Sequence, residues 1–257
     1  MRGPIPNILF AIAVTLSGGA AAAERPLTIA AAANLKDVMQ ALVADFRKAH
    51  AGAKVDVVLG SSGKFAQQIA HGAPYDLFFS ADLEYPQRLV TERHTATGVR
   101  TYARGQLALW SATRDARRLT LKELADPAIR RIAIANPKLA PYGARARQAL
   151  ERAGVWDQVR DKLVFGENVS QAAQFADSGG ADVAMIPLSL ALSPALKQRG
   201  AHVVVPESQS APLDQGFVIL KRAAGNPLAT AFADYVVNAA ARAIFAEHGY
   251  LAPARVP

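Results

Sequence analysis

Three segments place small and hydroxyl-bearing residues where a predicted strand ends and a predicted helix begins. They are Ala31-Ala32-Ala33-Asn34, Gly60-Ser61-Ser62-Gly63-Lys64 and Pro141-Tyr142-Gly143. A helix start has backbone N–H groups without partners and a positive potential, so it can bind an anion. Asn34 and Ser62 add side-chain donors. One such junction alone is more typical of a simple helix cap, but three together favour a shared anion-binding cleft.

Residue types and spacing argue against most other chemistry. The absence of cysteine excludes disulfides, zinc–thiolate sites, iron–sulfur clusters and thiol nucleophiles. The five histidines have no metal-ligand spacing. The segment Gly60–Lys64 lacks the first glycine of a P-loop, and Phe65 stands where that motif has its magnesium-binding hydroxyl. We therefore expect no catalytic residues, no cofactor and no direct cation ligands.

The charge balance is basic, with 29 Lys and Arg against 21 Asp and Glu and a net charge of +8. Such a balance suits nucleic acid, a membrane surface or an anionic ligand. The arginine clusters come without a nucleic-acid-binding motif or stacking aromatic residues, so no nucleic-acid partner is expected. They are more typical of a solvated face whose potential attracts anions.

The N-terminus predicts export. Arg2 precedes the apolar run Ile8–Leu16, which is followed by Ser17–Gly19 and by the alanines Ala20–Ala23. This is the pattern of a secretory signal peptide. The apolar run is much shorter than the roughly 20 residues that span a bilayer. We expect residues 1–23 to be a cleaved signal peptide and the mature protein to be periplasmic.

Strands and helices that would position the junctions alternate along the chain. Leu27–Ala31 is predicted to be a buried strand, followed by an amphipathic helix with Asn34 as its N-cap. Lys54–Leu59 and Asp76–Ser80 are predicted strands that also precede helices, and Asp82 is expected to cap the last of these. This order indicates a mainly parallel sheet with helices on both faces.

The same pattern restarts after a strand predicted at Leu107–Trp110. The number of strands and helices predicted along the mature chain suits two α/β lobes better than one. The regions Thr101–Gly105 and Pro206–Gln215 are interpreted as crossing segments. We therefore expect lobe I at residues 24–104 plus 214–257 and lobe II at 105–213. Each lobe is predicted to hold a mixed, mainly parallel sheet flanked by helices.

Segments spread over the whole mature chain resemble the periplasmic molybdate-binding proteins that feed ATP-driven importers. The matching segments are Ala31–Leu35, Ser61–Ile69, Gly72–Asp82, Pro141–Gly143, Gly154–Trp156 and Glu167–Val169. The specific one is Gly72–Asp82, and the others are weak singly. The resemblance implies a type II periplasmic-binding-protein fold, with two lobes joined by a hinge and a tetrahedral oxyanion held between them.

The resemblance also implies which residues hold the anion. Asn34 and Ser62 match donors from lobe I, and Tyr142 and Val169 match positions that give backbone N–H donors from lobe II. Pro187 stands where many relatives have a tyrosine ligand, and proline offers neither an N–H nor a side-chain donor.

Further pocket residues are expected around these four. Ser189 is the candidate to replace the missing tyrosine contact, and Ala33, Ser61 and Pro187 complete the expected pocket. Molybdenum would be bound as its oxyanion. A site made only of donors disfavours hydrogen phosphate, whose proton needs an acceptor. Cavity size would separate molybdate and tungstate from the smaller sulfate.

The sequence thus predicts a monomeric, non-catalytic protein that captures molybdate or tungstate and delivers it to an inner-membrane ABC permease. Three alternatives stay open. The first is a receptor for sulfate or another tetrahedral oxyanion. The second is a periplasmic hydrolase using Ser62 and Asp82, although no histidine is placed to act as its base. The third is a module that senses a ligand and signals.

Overall fold

The computed structural model describes residues 25–254, so the predicted signal peptide lies outside the described residues. Ten strands form two five-stranded sheets in this part of the chain. The strands are β1 Leu27–Ala32, β2 Val55–Gly60, β3 Leu77–Phe79, β4 Arg100–Gly105, β5 Leu107–Ser111, β6 Ile132–Ala135, β7 Leu163–Gly166, β8 Val183–Pro187, β9 Ala201–Val204 and β10 Leu213–Ile219. The α-helices are α1 Lys36–Ala49, α2 Ser62–Ala70, α3 Glu84–Thr91, α4 Pro141–Arg152, α5 Trp156–Val159, α6 Val169–Asp177, α7 Leu188–Ala191, α8 Pro194–Arg199, α9 Pro227–Val236 and α10 Ala239–Glu247.

The two sheets have the same plan. Sheet I has the order β2-β1-β3-β10-β4, and sheet II has the order β7-β6-β8-β5-β9. In sheet I, β10 runs antiparallel to both of its neighbours, and β5 does the same in sheet II. The remaining pairs are parallel. The predicted fold class, two mixed and mainly parallel sheets flanked by helices, is confirmed.

The chain passes between the sheets twice, from β4 to β5 and from β9 to β10. The region Thr101–Gly105, interpreted from sequence as a crossing segment, is instead part of β4, which pairs with β10. Polar Arg100 and Arg104 obscure its strand pattern because β4 is an edge strand that has solvent on one side. The lobe boundaries expected at 104–105 and 213–214 lie beside these crossings and stay a prediction.

Burial explains why the predicted strands and helices form where they do. All but one residue of β1 is buried, as expected for an inner strand covered by helices. Helix α1 buries Val38, Met39, Leu42, Val43 and Phe46, which repeat at the three- and four-residue spacing of one helix face. The short helices α5, α7 and α8 escape prediction because four to six residues are too few for such a period to appear.

Each sheet has its own aromatic core. Beside sheet I, Phe79 and Phe217 stack with ring centroids 4.7 Å apart, and Phe232 packs edge-on against Phe79. In sheet II, Trp110 is fully buried and donates its indole N–H to the Leu196 carbonyl at 3.2 Å. Over residues 25–254, none of the helices combines the length and the apolar content that a bilayer crossing requires.

The Phe79 ring provides a test of the sheet I core. Phe79→Ala removes a fully buried ring and leaves a cavity, so we expect the free energy of unfolding to fall by about 3–5 kcal/mol. Phe165→Ala is the matched control, because Phe165 lies on the edge strand β7 and is 50% exposed. Urea unfolding measures both. Equal losses in the two variants would contradict this account of the core.

Candidate anion-binding site

Four helix starts meet at one small cavity between the sheets. Its volume is about 10 Å³, measured as the space open to the centre of a water-sized sphere. The helix starts belong to α2, α4, α6 and the short 3₁₀ helix Ala33–Leu35 that leads into α1. The lining residues are Ala32, Ala33, Asn34, Gly60, Ser61, Ser62, Ala81, Ala140, Pro141, Tyr142, Asn168 and Val169. The structure therefore brings together all four expected ligand residues, and Ala33 and Ser61 with them.

Sheet topology causes this convergence. β1 and β2 are parallel neighbours in sheet I, and β6 and β7 are parallel neighbours in sheet II. The carboxyl ends of parallel neighbours lie at the same edge of a sheet, and the helices that follow them begin there. Each sheet thus contributes two neighbouring helix starts, and the sheets face each other across the cavity.

Backbone N–H groups at these helix starts remain available as donors. Within residues 25–254, the N–H groups of Ser62, Tyr142 and Val169 make no hydrogen bond to another residue. The Asn168 side chain caps the second and third residues of α6, accepting from the Ser170 N–H at 2.9 Å and the Gln171 N–H at 3.1 Å. The cap therefore leaves the Val169 N–H free.

Two serine hydroxyls stand beside the free N–H groups. The Ala81 N–H donates to Ser62 Oγ at 3.0 Å, so the Ser62 hydroxyl keeps its hydrogen for another acceptor. Ser61 Oγ is buried and has no partner in the described part of the chain. A buried hydroxyl without a partner costs free energy unless a ligand or water satisfies it. Both hydroxyls are thus suited to donate to an anion.

The prediction that Asn34 caps α1 is wrong. Its side chain does not cap α1, because the 3₁₀ helix Ala33–Leu35 intervenes and Leu35 occupies the N-cap position. The Asn34 amide nitrogen Nδ2 lies 2.9 Å from Gln215 Oε1 and 2.9 Å from the Tyr250 hydroxyl. Asn34 Oδ1 is buried and has no hydrogen-bond partner among the described residues.

Pro187 and Ser189 do not line the cavity. Pro187 ends β8 and pairs with Leu107. The Ser189 hydroxyl donates to the Asn34 carbonyl at 3.0 Å, so it supports a lining residue from behind. The expectation that Ser189 replaces the missing tyrosine contact finds no support in this geometry. The hydroxyl is engaged because α7 packs against the turn that carries Asn34.

Sequence reasoning missed Gln215 and Tyr250. These residues contact Asn34 from 181 and 216 positions away in the chain. Gln215 is fully buried in a strand that is otherwise largely apolar. An uncharged polar residue in such a strand is the one local signal that would have indicated it.

The site attracts anions without using charged side chains. No Lys, Arg, Asp or Glu is among the lining residues. Positive potential therefore comes from helix starts, and specificity comes from neutral donors. Among the described residues, no group of three or more His, Asp or Glu side chains could hold a metal ion.

The two halves of the site touch across the cavity. The Gly63 N–H donates to the Leu139 carbonyl at 2.8 Å. The Lys64 ammonium pairs with the Glu167 carboxylate, and both side chains are about half exposed. An exposed pair of this kind contributes about 0–1 kcal/mol. The buried Ser189–Asn34 and Gln215–Tyr142 hydrogen bonds also join the two halves, so this arrangement is held by direct contacts as well as by any bound ligand.

Gly63 tests the contact between the two halves. A Cβ atom there would lie 2.8 Å from the Leu139 carbonyl oxygen and 2.6 Å from the Tyr85 hydroxyl. We expect Gly63→Ala to weaken binding of molybdate, the anion expected from sequence, by about 5- to 150-fold, the effect of 1–3 kcal/mol of overpacking. Calorimetric titration measures it. Gly98→Ala is the control, since its Cβ would have no neighbour within 4 Å. Unchanged affinity in Gly63→Ala would refute the contact.

Asp82, which lies next to the cavity-lining residue Ala81, makes the stability of the folded protein depend on pH. Its carboxylate accepts from Ser80 Oγ at 2.7 Å and from the Tyr85 N–H at 3.2 Å, although Leu83 and not the predicted Asp82 occupies the N-cap position of α3. Burial outweighs these hydrogen bonds and raises the pKa of Asp82 from 3.8 to about 6. The folded protein therefore holds a proton on Asp82 more tightly than the unfolded chain does. This contribution to stability is complete below pH 3.8 and is lost as the pH rises through 6.

Asp82→Asn should remove that dependence. The free energy of unfolding of the wild type, relative to the variant, is expected to fall by about 1–2 kcal/mol between pH 4 and pH 7. Urea unfolding at pH 4, 5, 6 and 7 measures the difference. Asp56→Asn, at an exposed position on β2, serves as the control for loss of a carboxylate. If the free energy of unfolding of the wild type, relative to Asp82→Asn, rose with pH, this would contradict a raised pKa of Asp82.

Known proteins resemble this chain over nearly all of its length. A family model described as bacterial extracellular solute-binding protein matches residues 27–251. The molybdate-binding proteins ModA of Azotobacter vinelandii and Rhodobacter capsulatus are 37% and 35% identical to it. These matches cover 91% and 92% of this chain and 92% and 97% of the relatives.

A solved structure agrees with these relatives. The Azotobacter vinelandii periplasmic molybdate-binding protein matches with a TM-score of 0.83 and 35% identity, over 89% of this chain and 100% of that chain. The resemblance stated from the sequence motifs is confirmed. The chain belongs to the family of bacterial extracellular solute-binding proteins.

Proposed function

We propose that this protein captures molybdate, or tungstate, in the cleft between lobe I (24–104 plus 214–257) and lobe II (105–213) and delivers it to an ABC permease. One observation carries the proposal. Four helix starts and two serine hydroxyls meet at a cavity that no charged side chain lines. Relatives named molybdate-binding proteins, 35–37% identical to this chain, support the choice of anion.

Cavity size and chemistry narrow the ligand class. A volume of about 10 Å³ is far below the roughly 300–1,000 Å³ typical of sites for organic ligands, which favours a single small anion. The free backbone and hydroxyl groups are donors, so a fully deprotonated oxyanion satisfies them. Hydrogen phosphate keeps a proton, and the unpartnered Asn34 Oδ1 is the acceptor at the cavity that this proton would need.

Binding stabilises the arrangement in which both halves of the site touch. Ser62 belongs to one half, and Tyr142 and Val169 belong to the other, so the anion contacts all of them only when the lobes are together. Ligand contacts available in one arrangement alone shift the population toward it. Separation of the lobes at the permease would remove half of the donors and release the anion. No covalent chemistry is required of this chain.

The cellular setting belongs to the same proposal. We infer a periplasmic monomer, exported through a cleaved signal peptide at residues 1–23, with an inner-membrane permease as partner and without nucleic acid or a cofactor. The family description as extracellular supports export. The hydrolase alternative lacks support, because the Ser62 hydroxyl contacts the Ala81 N–H and no base. No described contact favours sulfate or a signalling role over molybdate import.

Binding of four anions tests the proposal directly. At 100 times its dissociation constant, molybdate or tungstate should add about 2.7 kcal/mol to the free energy of unfolding, whereas sulfate and phosphate should add little. Thermal unfolding and calorimetric titration of the mature chain measure this. Absence of any effect from both molybdate and tungstate would refute the function.

Two serine variants test where the anion binds. Ser62→Ala should weaken molybdate binding by roughly 10- to 150-fold, the loss of one hydrogen bond to a charged group. Ser178→Ala, at an exposed position, should bind as the wild type does. Equal molybdate affinity in both variants would indicate that the anion binds outside this cavity.

A further inference from the structure

A fully buried polar network lies directly behind the cavity. Its members are Asn34, Tyr102, Tyr142, Gln215 and Tyr250, each at most 4% exposed. Gln215 is the central residue, because its amide contacts Asn34, Tyr102 and Tyr142. Asn34 and Tyr142 line the cavity from opposite sheets. Gln215 therefore joins the two halves of the site.

The hydrogen bonds of this network are unevenly satisfied. The Tyr102 hydroxyl lies 2.8 Å from the Ser80 carbonyl and 2.8 Å from Gln215 Oε1, yet it has one hydrogen for these two acceptors. Asn34 Oδ1, also an acceptor, is buried without any donor from the described residues. A buried acceptor without a partner destabilises the folded protein. At Tyr102, Gln215 Oε1 and the Ser80 carbonyl thus compete for one hydrogen, while at Asn34 the oxygen Oδ1 has no donor.

The oxygen and nitrogen of an amide occupy nearly equivalent positions, so both amides can turn by half a turn. The turn removes the surplus acceptor at Gln215 and leaves Asn34 with an unpartnered donor in place of an unpartnered acceptor. The Gln215 NH₂ then donates to the Tyr102 oxygen and to Asn34 Oδ1. Tyr102 donates to the Ser80 carbonyl, and the Tyr142 hydroxyl donates to Gln215 Oε1. Ser189 and Tyr250 both donate to the backbone carbonyl of Asn34. After the turn, the single Tyr250 hydrogen has this carbonyl and Asn34 Oδ1 as alternative acceptors.

The consequence for the cavity is a change from acceptor to donor. After the turn, the Asn34 NH₂ takes the place that Oδ1 held, and no protein acceptor competes for it. An oxyanion supplies the acceptor that this NH₂ needs, whereas an oxyanion beside Oδ1 would be repelled. The amide at Gln215 is essential to this exchange, because it offers a donor and an acceptor on one planar group.

We propose that Gln215 is a positioning residue that turns together with Asn34 when an oxyanion binds, so that Asn34 presents its NH₂ to the cavity. This inference rests on the proposed function. Because Gln215 also holds Tyr142, it links the orientation of Asn34 to the contact between the lobes.

Gly105 makes room for this link. A Cβ atom at Gly105 would lie 1.8 Å from the Tyr142 hydroxyl and 2.3 Å from Gln215 Nε2. Gly105 is also the last residue of β4, where the chain first leaves sheet I. The Tyr142–Gln215 hydrogen bond therefore lies against the crossing segment, and movement of one lobe relative to the other would change it.

Two substitutions test the exchange. Gln215→Glu, measured at pH 8, offers acceptors only, so it keeps the Asn34 NH₂ turned away from the cavity. We expect molybdate affinity to fall by about 10-fold or more, as for a lost hydrogen bond to a charged group. Gln215→Met offers neither donor nor acceptor and should lose less affinity than Gln215→Glu. Gln87→Glu, at an exposed position of α3, controls for the added charge and should bind as the wild type does.

A spectroscopic readout separates this positioning role from a structural one. In ¹⁵N-labelled wild type, saturating molybdate should shift the side-chain NH₂ resonances of both Asn34 and Gln215. In Gln215→Glu, the Asn34 NH₂ resonances should shift much less. Urea unfolding verifies that each variant is folded before titration.

The outcomes distinguish this inference from the proposed function. Wild-type binding with unchanged affinity in Gln215→Glu, or with NH₂ resonances that do not move, would overturn the role of Gln215 alone. A wild type that binds neither molybdate nor tungstate would overturn the proposed function, and the role of Gln215 with it. If Gln215→Met lost more molybdate affinity than Gln215→Glu, this would also contradict the coupled turning of the Gln215 and Asn34 amides.

Discussion

Convergence of positive helix ends on one uncharged cavity is the constraint on which the rest of the structure depends. Each helix start carries about half an elementary charge, so four of them together approach the charge needed to balance a dianion. The lining residues are correspondingly neutral. A lysine or arginine in the cavity would add affinity but would also accept other anions. The basic net charge of the chain therefore lies outside the site.

The fold supplies this convergence by repeating one sheet plan twice. In each sheet, two parallel neighbours end at the cavity, and one antiparallel strand, β10 or β5, stands beside a crossing between the sheets. Each sheet also has its own aromatic core, around Phe79 in one and Trp110 in the other. Buried hydrogen bonds from Ser189 to the Asn34 carbonyl and from Gln215 to Tyr142 join the two halves of the site.

Buried polar groups make the site specific at some cost in stability. Ser62 is oriented by the Ala81 N–H, and the Val169 N–H is left free by the Asn168 cap. Asn34 is held by a network that extends through Gln215 to Tyr142. Such networks fix one geometry only when every member is satisfied. Two of the buried side-chain atoms without a partner among the described residues, Ser61 Oγ and Asn34 Oδ1, belong to residues that line the cavity.

The sequence by itself determined the alternation of strands and helices, the helix starts within Gly60–Lys64 and Pro141–Gly143, and the family. These depend on local periodicity and on short motifs, which sequence records directly. Only the tertiary structure decided that β4 is a strand, that Asn34 turns away from α1, and that Gln215 supports it. The reason is physical. An edge strand is defined by its partner, and a buried amide is satisfied by groups that chain folding brings from 181 positions away.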